Sequence, residues 1–192
     1  KINNINLYSS LGNLNIGLLG GSFDPAHNGH MHVSKLVINH LNLDQVWWLV
    51  TSQNPLKHKN QKINLADRLS SALYINNNYK IRAQAVEMSL GTIYTYDTIK
   101  KLKLMLPRVN FIWIMGADNL LDMHKWYKWK KIFYLCPIIV VNRPNYLYKA
   151  LSSKASKYFW HAKADINRFP IRNKLPSWGF FYVKPNYDNS TN

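Results

Sequence analysis

The sequence predicts an α/β fold built from βαβ units around a parallel sheet. Short continuous apolar runs rich in Val, Ile and Trp recur along it, as expected of strands buried on both faces. Segments with helically spaced apolar residues separate them, and glycines or prolines punctuate the joins. The two kinds of segment alternate, with no internal repeat and no Gly/Ser linker. Crossovers in such units are right-handed, and their ligands bind beyond the carboxyl ends of the strands. Candidate functional residues are therefore those that follow strands.

Asn15 to Leu19 is a short apolar strand running into Gly20-Gly21. Gly29 to Leu41 suits a helix, with Met31, Val33, Val37, Ile38 and Leu41 as its apolar side. Gln45 to Thr51 is a buried strand, followed by a polar loop, Ser52 to Asn60. Asn64 to Ile75 is a helix with Asn64 as its cap and Leu65, Leu69 and Leu73 on one face. Tyr79 to Arg82 is a short strand, and Tyr96 to Leu106 a helix stopped by Pro107. Val109 to Met115 is a strand ended by Gly116. Asp118 to Met123 and Trp126 to Tyr134 are short helices. Pro137 to Asn142 is a strand, Ala150 to Phe159 a helix, and Gly179 to Val183 the last strand.

The length of 192 residues fits one domain, 1–192, with a polar, Asn-rich leader over 1–14. With 47% apolar and 18% charged residues, the chain can bury a core and is neither disordered nor a coiled coil. No apolar run is long enough to span a membrane, and the N-terminal segment lacks the apolar core of a secretory signal. The single Cys136 excludes an intramolecular disulfide and a multi-cysteine zinc site, and the cytosol is the simplest compartment. The net charge of +16 would suit a polyanion. However, the basic residues are 19 Lys and 6 Arg, mostly scattered, beside 23 Asn and a lone glutamate, Glu87. That bias matches an AT-rich coding sequence. A phosphate-rich small substrate gains from the field as naturally as a nucleic acid does, so a nucleic-acid partner is disfavoured.

The segment Gly20-Gly21-Ser22-Phe23-Asp24-Pro25-Ala26-His27-Asn28-Gly29-His30 directly follows the first strand. Gly20 and Gly21 have no Cβ to hold a ligand away. If the helix begins near Asn28, His27 and His30 face one crevice beside its N-terminus, where free N–H groups and the dipole favour anions. That combination is a polyphosphate receptor. As metal ligands the two histidines would need a third partner, and only Asp24 offers itself, so no protein metal site is expected. The turn is neither a Walker A loop nor a Gly-x-Gly-x-x-Gly fingerprint.

This string resembles the signature Gly-Gly-Ser/Thr-Phe-Asp-Pro-x-His-x-Gly-His of the His-x-Gly-His adenylyltransferases, relatives of class I aminoacyl-tRNA synthetases. The resemblance implies a Rossmann-like doubly wound parallel sheet with helices on both faces. It implies that His27 and His30 contact the ATP phosphates and are catalytic. It also implies that Gly20, Gly21, Ser22 and Phe23 bind ATP.

Later segments resemble the nicotinate-nucleotide adenylyltransferase branch. Ser52 to Lys59 is similar to its loop after the second strand, with Lys57 toward substrate phosphate. Tyr94-Thr95-Tyr96-Asp97-Thr98 is similar to Ser-Tyr-Thr-x-Asp-Thr, with Ile93 replacing the Ser and Thr95 on the nicotinate carboxylate. By chemistry alone, Thr95 or Asp97 could instead cap the following helix. Gly116 and Asp118 resemble an adenosine-binding Gly-x-Asp, although Asp118 could also cap a helix. Trp126-Tyr127 resembles a pair whose Trp stacks on the nicotinate ring and whose next amide binds the carboxylate. Arg143 resembles a residue on the ATP side. Asn189-Ser190-Thr191-Asn192 resembles part of Ser-Ser-Thr-x-Ile-Arg, which implies phosphate contacts from Ser190 and Thr191. In that family a helix pair follows this motif. Here the Ile-Arg and the helices are missing, which suggests truncation, proteolysis or a tail beyond the sequence.

The implied reaction transfers AMP from ATP to nicotinate mononucleotide, with Mg²⁺ carried on the ATP phosphates. The alternatives are an adenylyltransferase for nicotinamide mononucleotide or phosphopantetheine, a basic RNA-binding domain, and an inactive family member. Oligomeric state is not legible in the sequence.

Overall fold

A computed structural model describes residues 12–51, 64–142, 145–172 and 174–182. Six strands form one sheet: β1 (Asn15–Gly21), β2 (Gln45–Val50), β3 (Ile81–Gln84), β4 (Asn110–Gly116), β5 (Ile138–Val141) and β6 (Trp178–Phe181). Their spatial order is β3-β2-β1-β4-β5-β6, and every neighbouring pair is parallel. This is the doubly wound Rossmann order, and its winding reverses between β1 and β4.

The strands alternate between two cores. Ile16, Leu18, Trp47, Leu49, Phe111, Trp113, Met115, Ile138 and Val140 face one side. Leu19, Val46, Trp48, Val50, Ile112, Ile114, Ile139 and Val141 face the other. The second face is covered by α1 (Asn28–Leu41) and α2 (Leu65–Ile75), with Ile166, Phe169 and Ile171 beside them. The first is covered by α3 (Val86–Leu90), α4 (Thr95–Met105), α5 (Ala117–Asp122), α6 (Trp129–Ile132), α7 (Leu147–Leu151) and α8 (Lys154–Tyr158). Burial on both faces explains why the strands read as continuous apolar runs instead of alternating ones.

Several expected elements change for local reasons. The helix expected over 126–134 is one turn, α6, because Lys128 is left-handed at φ 50° and interrupts it. The helix expected over 150–159 is two, α7 and α8, because the Ser153 hydroxyl accepts from Ser156 N–H and starts a new N-terminus. The third strand begins at Ile81, after Asn76 and Asn78 turn the chain with side-chain bonds to the amides of Asn78 and Lys80. On α2, Leu73 is 55% exposed, and the buried positions are Arg68 and Ala72. Helix α3 was not expected. It ends at Gly91 with φ 61°, a left-handed cap. Among the described residues, no helix is long and apolar enough to cross a membrane.

Cys136 is buried at the end of the α6 segment, just before β5. Burial pushes its thiol from 9.0 up to about 12. The protonated thiol's contribution to stability is therefore complete below about pH 9 and falls as pH rises toward about 12. Ellman's reagent at pH 8 should give no colour with the native chain and one equivalent after denaturation. Rapid native labelling would contradict this burial.

Candidate nucleotide-binding site

β1 ends at Gly21 and α1 begins at Asn28, so the Gly20-to-His30 segment occupies the carboxyl edge of the sheet at the reversal of winding. The expected start of α1 near Asn28 is observed, and His27 is its N-cap. His27 Nδ1 accepts from Gly29 N–H at 3.1 Å, while His30 Nδ1 accepts from His27 N–H at 3.2 Å. Two imidazoles thus form a reciprocal capping box, a role more often filled by Ser or Thr with Glu. A ring nitrogen that accepts carries no proton, so in both rings the N–H is at Nε2. The first turn of α1 contains no acidic residue to offset its positive end. The site therefore combines two Nε2–H donors with a helix N-terminus, an arrangement suited to phosphate oxygens.

The rings are supported from below. His27 and His30 have centroids 3.9 Å apart, and Phe23 lies 4.6 Å from His30. Phe23 stacks on Trp48 at 5.2 Å. Trp48 Nε1 donates to Ser34 Oγ at 2.8 Å, and that hydroxyl donates to His30 O at 2.8 Å. Phe23 is buried, with φ 49°. Its ring belongs to the second core, so what it can present to a nucleotide is its backbone.

The glycines have packing reasons as well. A Cβ on Gly20 would lie 2.4 Å from the Trp113 indole, and one on Gly29 would lie 2.9 Å from the His27 imidazole. Gly20 is therefore required by the core, whatever approaches it from outside.

Gly116 ends β4 and is the N-cap of α5, without a side-chain cap bond, and Asp118 lies in the first turn of that helix. Thr95 opens α4, whose N-cap is Tyr94, again without a side-chain cap bond. The capping roles considered for Thr95, Asp97 and Asp118 are thus not the observed caps. Thr98 Oγ1 bonds Thr92 Oγ1 at 2.7 Å and Tyr94 O at 3.1 Å, anchoring the start of α4. An open depression of about 440 Å³ is lined by Asp97, Lys100, Lys101 and Leu104. By helical phase it lies on the opposite side of α4 from Thr95.

Trp126 is half-buried, edge-on to Trp113 at 6.3 Å. Tyr127 is more exposed and packs on Tyr94 at 4.6 Å, with Lys128 Nζ 4.6 Å above its ring. A hydrogen bond to Tyr127 raises the Lys128 ammonium above its ordinary value. The structure therefore connects Gly20, Trp113 and Trp126 in one packed series. Lys57, Arg143, Ser190 and Thr191 lie outside the described residues.

Arg68 escaped the sequence reading. It is almost fully buried and bonds the loops after β1 and β2. The available signal was a charged residue in helical line with Leu65 and Ala72 on α2. Among the described residues, no group of three or more His, Cys, Asp or Glu could hold a metal ion.

The fold and this turn define a nucleotidyltransferase of the Rossmann type. The cytidylyltransferase-like family model matches residues 18–189. A Rhizobium johnstonii protein named "Probable nicotinate-nucleotide adenylyltransferase" is 43% identical over 169 residues, covering 87% of this chain and 85% of its own. A protein of the same name from Agrobacterium fabrum is 41% identical over 169 residues, covering 87% of this chain and 90% of its own. The Plasmodium falciparum nicotinic acid mononucleotide adenylyltransferase complexed with NaAD shares the fold with a TM-score of 0.67 at 21% identity, over 88% of this chain and 75% of its own. This chain belongs to the cytidylyltransferase-like family and, within it, to the nicotinate-nucleotide adenylyltransferases.

The capping role can be separated from the imidazole. His27→Asn should keep the N-cap and unfold within about 0.5 kcal/mol of the parent, while His27→Ala should cost about 1 kcal/mol, both read by urea unfolding. Equal losses in the two variants would show that His27 does not cap α1.

Proposed function

We infer that this chain transfers the AMP group of ATP to nicotinate mononucleotide, releasing pyrophosphate and forming nicotinate adenine dinucleotide in NAD biosynthesis. The observation that carries the reading is the His27–His30 capping box, with both Nε2–H groups at the N-terminus of α1, where the sheet reverses its winding. Identity to nicotinate-nucleotide adenylyltransferases along most of the chain names the acceptor.

A phosphate oxygen of nicotinate mononucleotide attacks the α-phosphorus of ATP. The bond from that phosphorus to the bridging oxygen of the β-phosphate breaks, and pyrophosphate leaves with the electron pair. The attacking oxygen is already anionic, so no general base is required. His27 and His30 donate from Nε2 to phosphate oxygens as charge develops there, and the amide end of α1 adds a fixed positive potential. Gly20, Gly21, Ser22 and the Phe23 backbone line the nucleotide's path, with Gly116 and Asp118 at the adenosine end. Trp126 stacks on the pyridine ring, and Thr95 with the Tyr127 amide receives the carboxylate. By the resemblance, Lys57, Ser190 and Thr191 would add phosphate contacts and Arg143 would serve the ATP side. Mg²⁺ bound by the ATP phosphates would supply neutralisation of their charge. The work is positioning and charge stabilisation, without a covalent intermediate. The compartment proposed is the cytoplasm.

The test is pyrophosphate release from ATP and Mg²⁺, with nicotinate mononucleotide, nicotinamide mononucleotide or phosphopantetheine offered in parallel. Nicotinate mononucleotide should be preferred, and preference for either other acceptor would overturn the assignment. His30→Ala should lower kcat by about 10²–10³-fold while moving KM for ATP only a few-fold. A rise in KM with kcat unchanged would assign His30 to ground-state binding only.

A further inference from the structure

Arg68 stands on α2, away from the Gly20-to-His30 turn in sequence, and its side chain is 1% exposed. Its Nη1 donates to Ser22 O at 2.7 Å and to Thr51 O at 2.9 Å. Thr51 N–H in turn donates to Gly21 O at 3.1 Å. One guanidinium nitrogen thus ties together the first residue after β1 and the first residue after β2. A charge this deeply buried is retained only with such partners.

The consequence lies in the next peptide. The Ser22–Phe23 bond is trans, so the Phe23 N–H points opposite to the Ser22 carbonyl. By drawing that carbonyl toward α2, Arg68 turns the Phe23 N–H away from α2. It also fixes the residue that leads into the left-handed Phe23, φ 49°, whose ring supports His30. We propose that Arg68 is a positioning residue for the ATP side of the site, setting the Ser22–Phe23 peptide and the aromatic shelf beneath His30. The proposal rests on the adenylyl-transfer reading for its choice of ligand. It assigns Arg68 no contact with substrate. A lysine ammonium can also donate to two carbonyls, but it ends one bond short of the position of Nη1, so it should hold Ser22 O and Thr51 O incompletely.

The test compares Arg68→Lys and Arg68→Met with Ala72→Gly, which loosens the same buried face of α2 without touching Ser22 or Thr51. Binding of α,β-methylene-ATP is measured by calorimetry, steady-state kinetics are run with both substrates, and thermal unfolding is recorded for each variant. Arg68→Met should weaken nucleotide binding and raise KM for ATP by about tenfold or more, with KM for nicotinate mononucleotide changed less than twofold. Arg68→Lys should recover part of the loss, and Ala72→Gly should lose thermal stability with KM for ATP unchanged. If Arg68→Met does not fold, Arg68→Lys alone decides, and an ATP-selective loss of at least threefold is expected. Equal changes for both substrates, or parent-like nucleotide binding in a folded Arg68 variant, would overturn the proposal. If the parent binds the analogue but does not use nicotinate mononucleotide, the acceptor reading fails while the binding comparison still decides the role of Arg68. A parent that binds no nucleotide would overturn both.

Discussion

Parallel pairing of β1 with both β2 and β4 is the constraint on which everything else depends. In register, Gly20 faces Leu49 and Gly21 faces Val50 on one side, while Leu18 and Leu19 face Trp113 and Ile114 on the other. A central strand buried on both faces must leave the sheet at its carboxyl end. The winding reverses between it and β4, so no crossover helix covers that exit. The exit is where the turn to α1 lies. Burial of β1 therefore creates the opening in which unsatisfied helix N–H groups can meet an anion.

The turn then resolves a local conflict. It must be rigid enough to aim two imidazoles, yet open enough to admit a polyphosphate. Rigidity comes from beneath, through the His30, Phe23 and Trp48 rings and the Ser34 hydroxyl that links Trp48 Nε1 to the first turn of α1. It also comes from the reciprocal His27 and His30 bonds, which engage Nδ1 in both rings and so put the N–H on Nε2. Charge follows the same division. The chain carries +16, while the first turn of α1 has no carboxylate of its own. The long-range field and the local donors act in the same direction on a polyphosphate.

Much of this was legible in the residues. The strands declared themselves because both faces of each are buried, as in the VNFIWIM run around β4. The His27–His30 turn was legible because its residue types fit few other purposes after a strand. What escaped was of two kinds, local backbone geometry that residue type does not announce and contacts far apart in sequence. Ser153 starts a new helix inside a segment that reads as one, and a left-handed Lys128 stops another, although neither residue is a strong breaker by type. Phe23 reads as a ligand contact by resemblance, and the packing of its ring in the core was not legible from residue type. Arg68 was passed over because its partners, the Ser22 and Thr51 carbonyls, are 46 and 17 positions away. The residues implied at 57, 143, 190 and 191 lie outside the described part of the chain.

Trp113 shows how the scaffold couples the two halves of the proposed site. Its indole fills the space a Cβ on Gly20 would take, and the edge of Trp126 packs against it. Gly20 lies at the start of the ATP-side turn, and Trp126 stands where the pyridine ring is proposed to stack. A side chain on Gly20 would push on the indole at 2.4 Å, and through it on Trp126. Close-packed interiors transmit such displacements because they have no free volume to absorb them. With the substrates placed as proposed, the distance between nucleotide and acceptor is tied to one buried indole on β4. In-line transfer between two bound substrates has a narrow geometric tolerance. Placing the spacer on a central strand, paired on both sides, gives that distance the stiffness of the sheet itself.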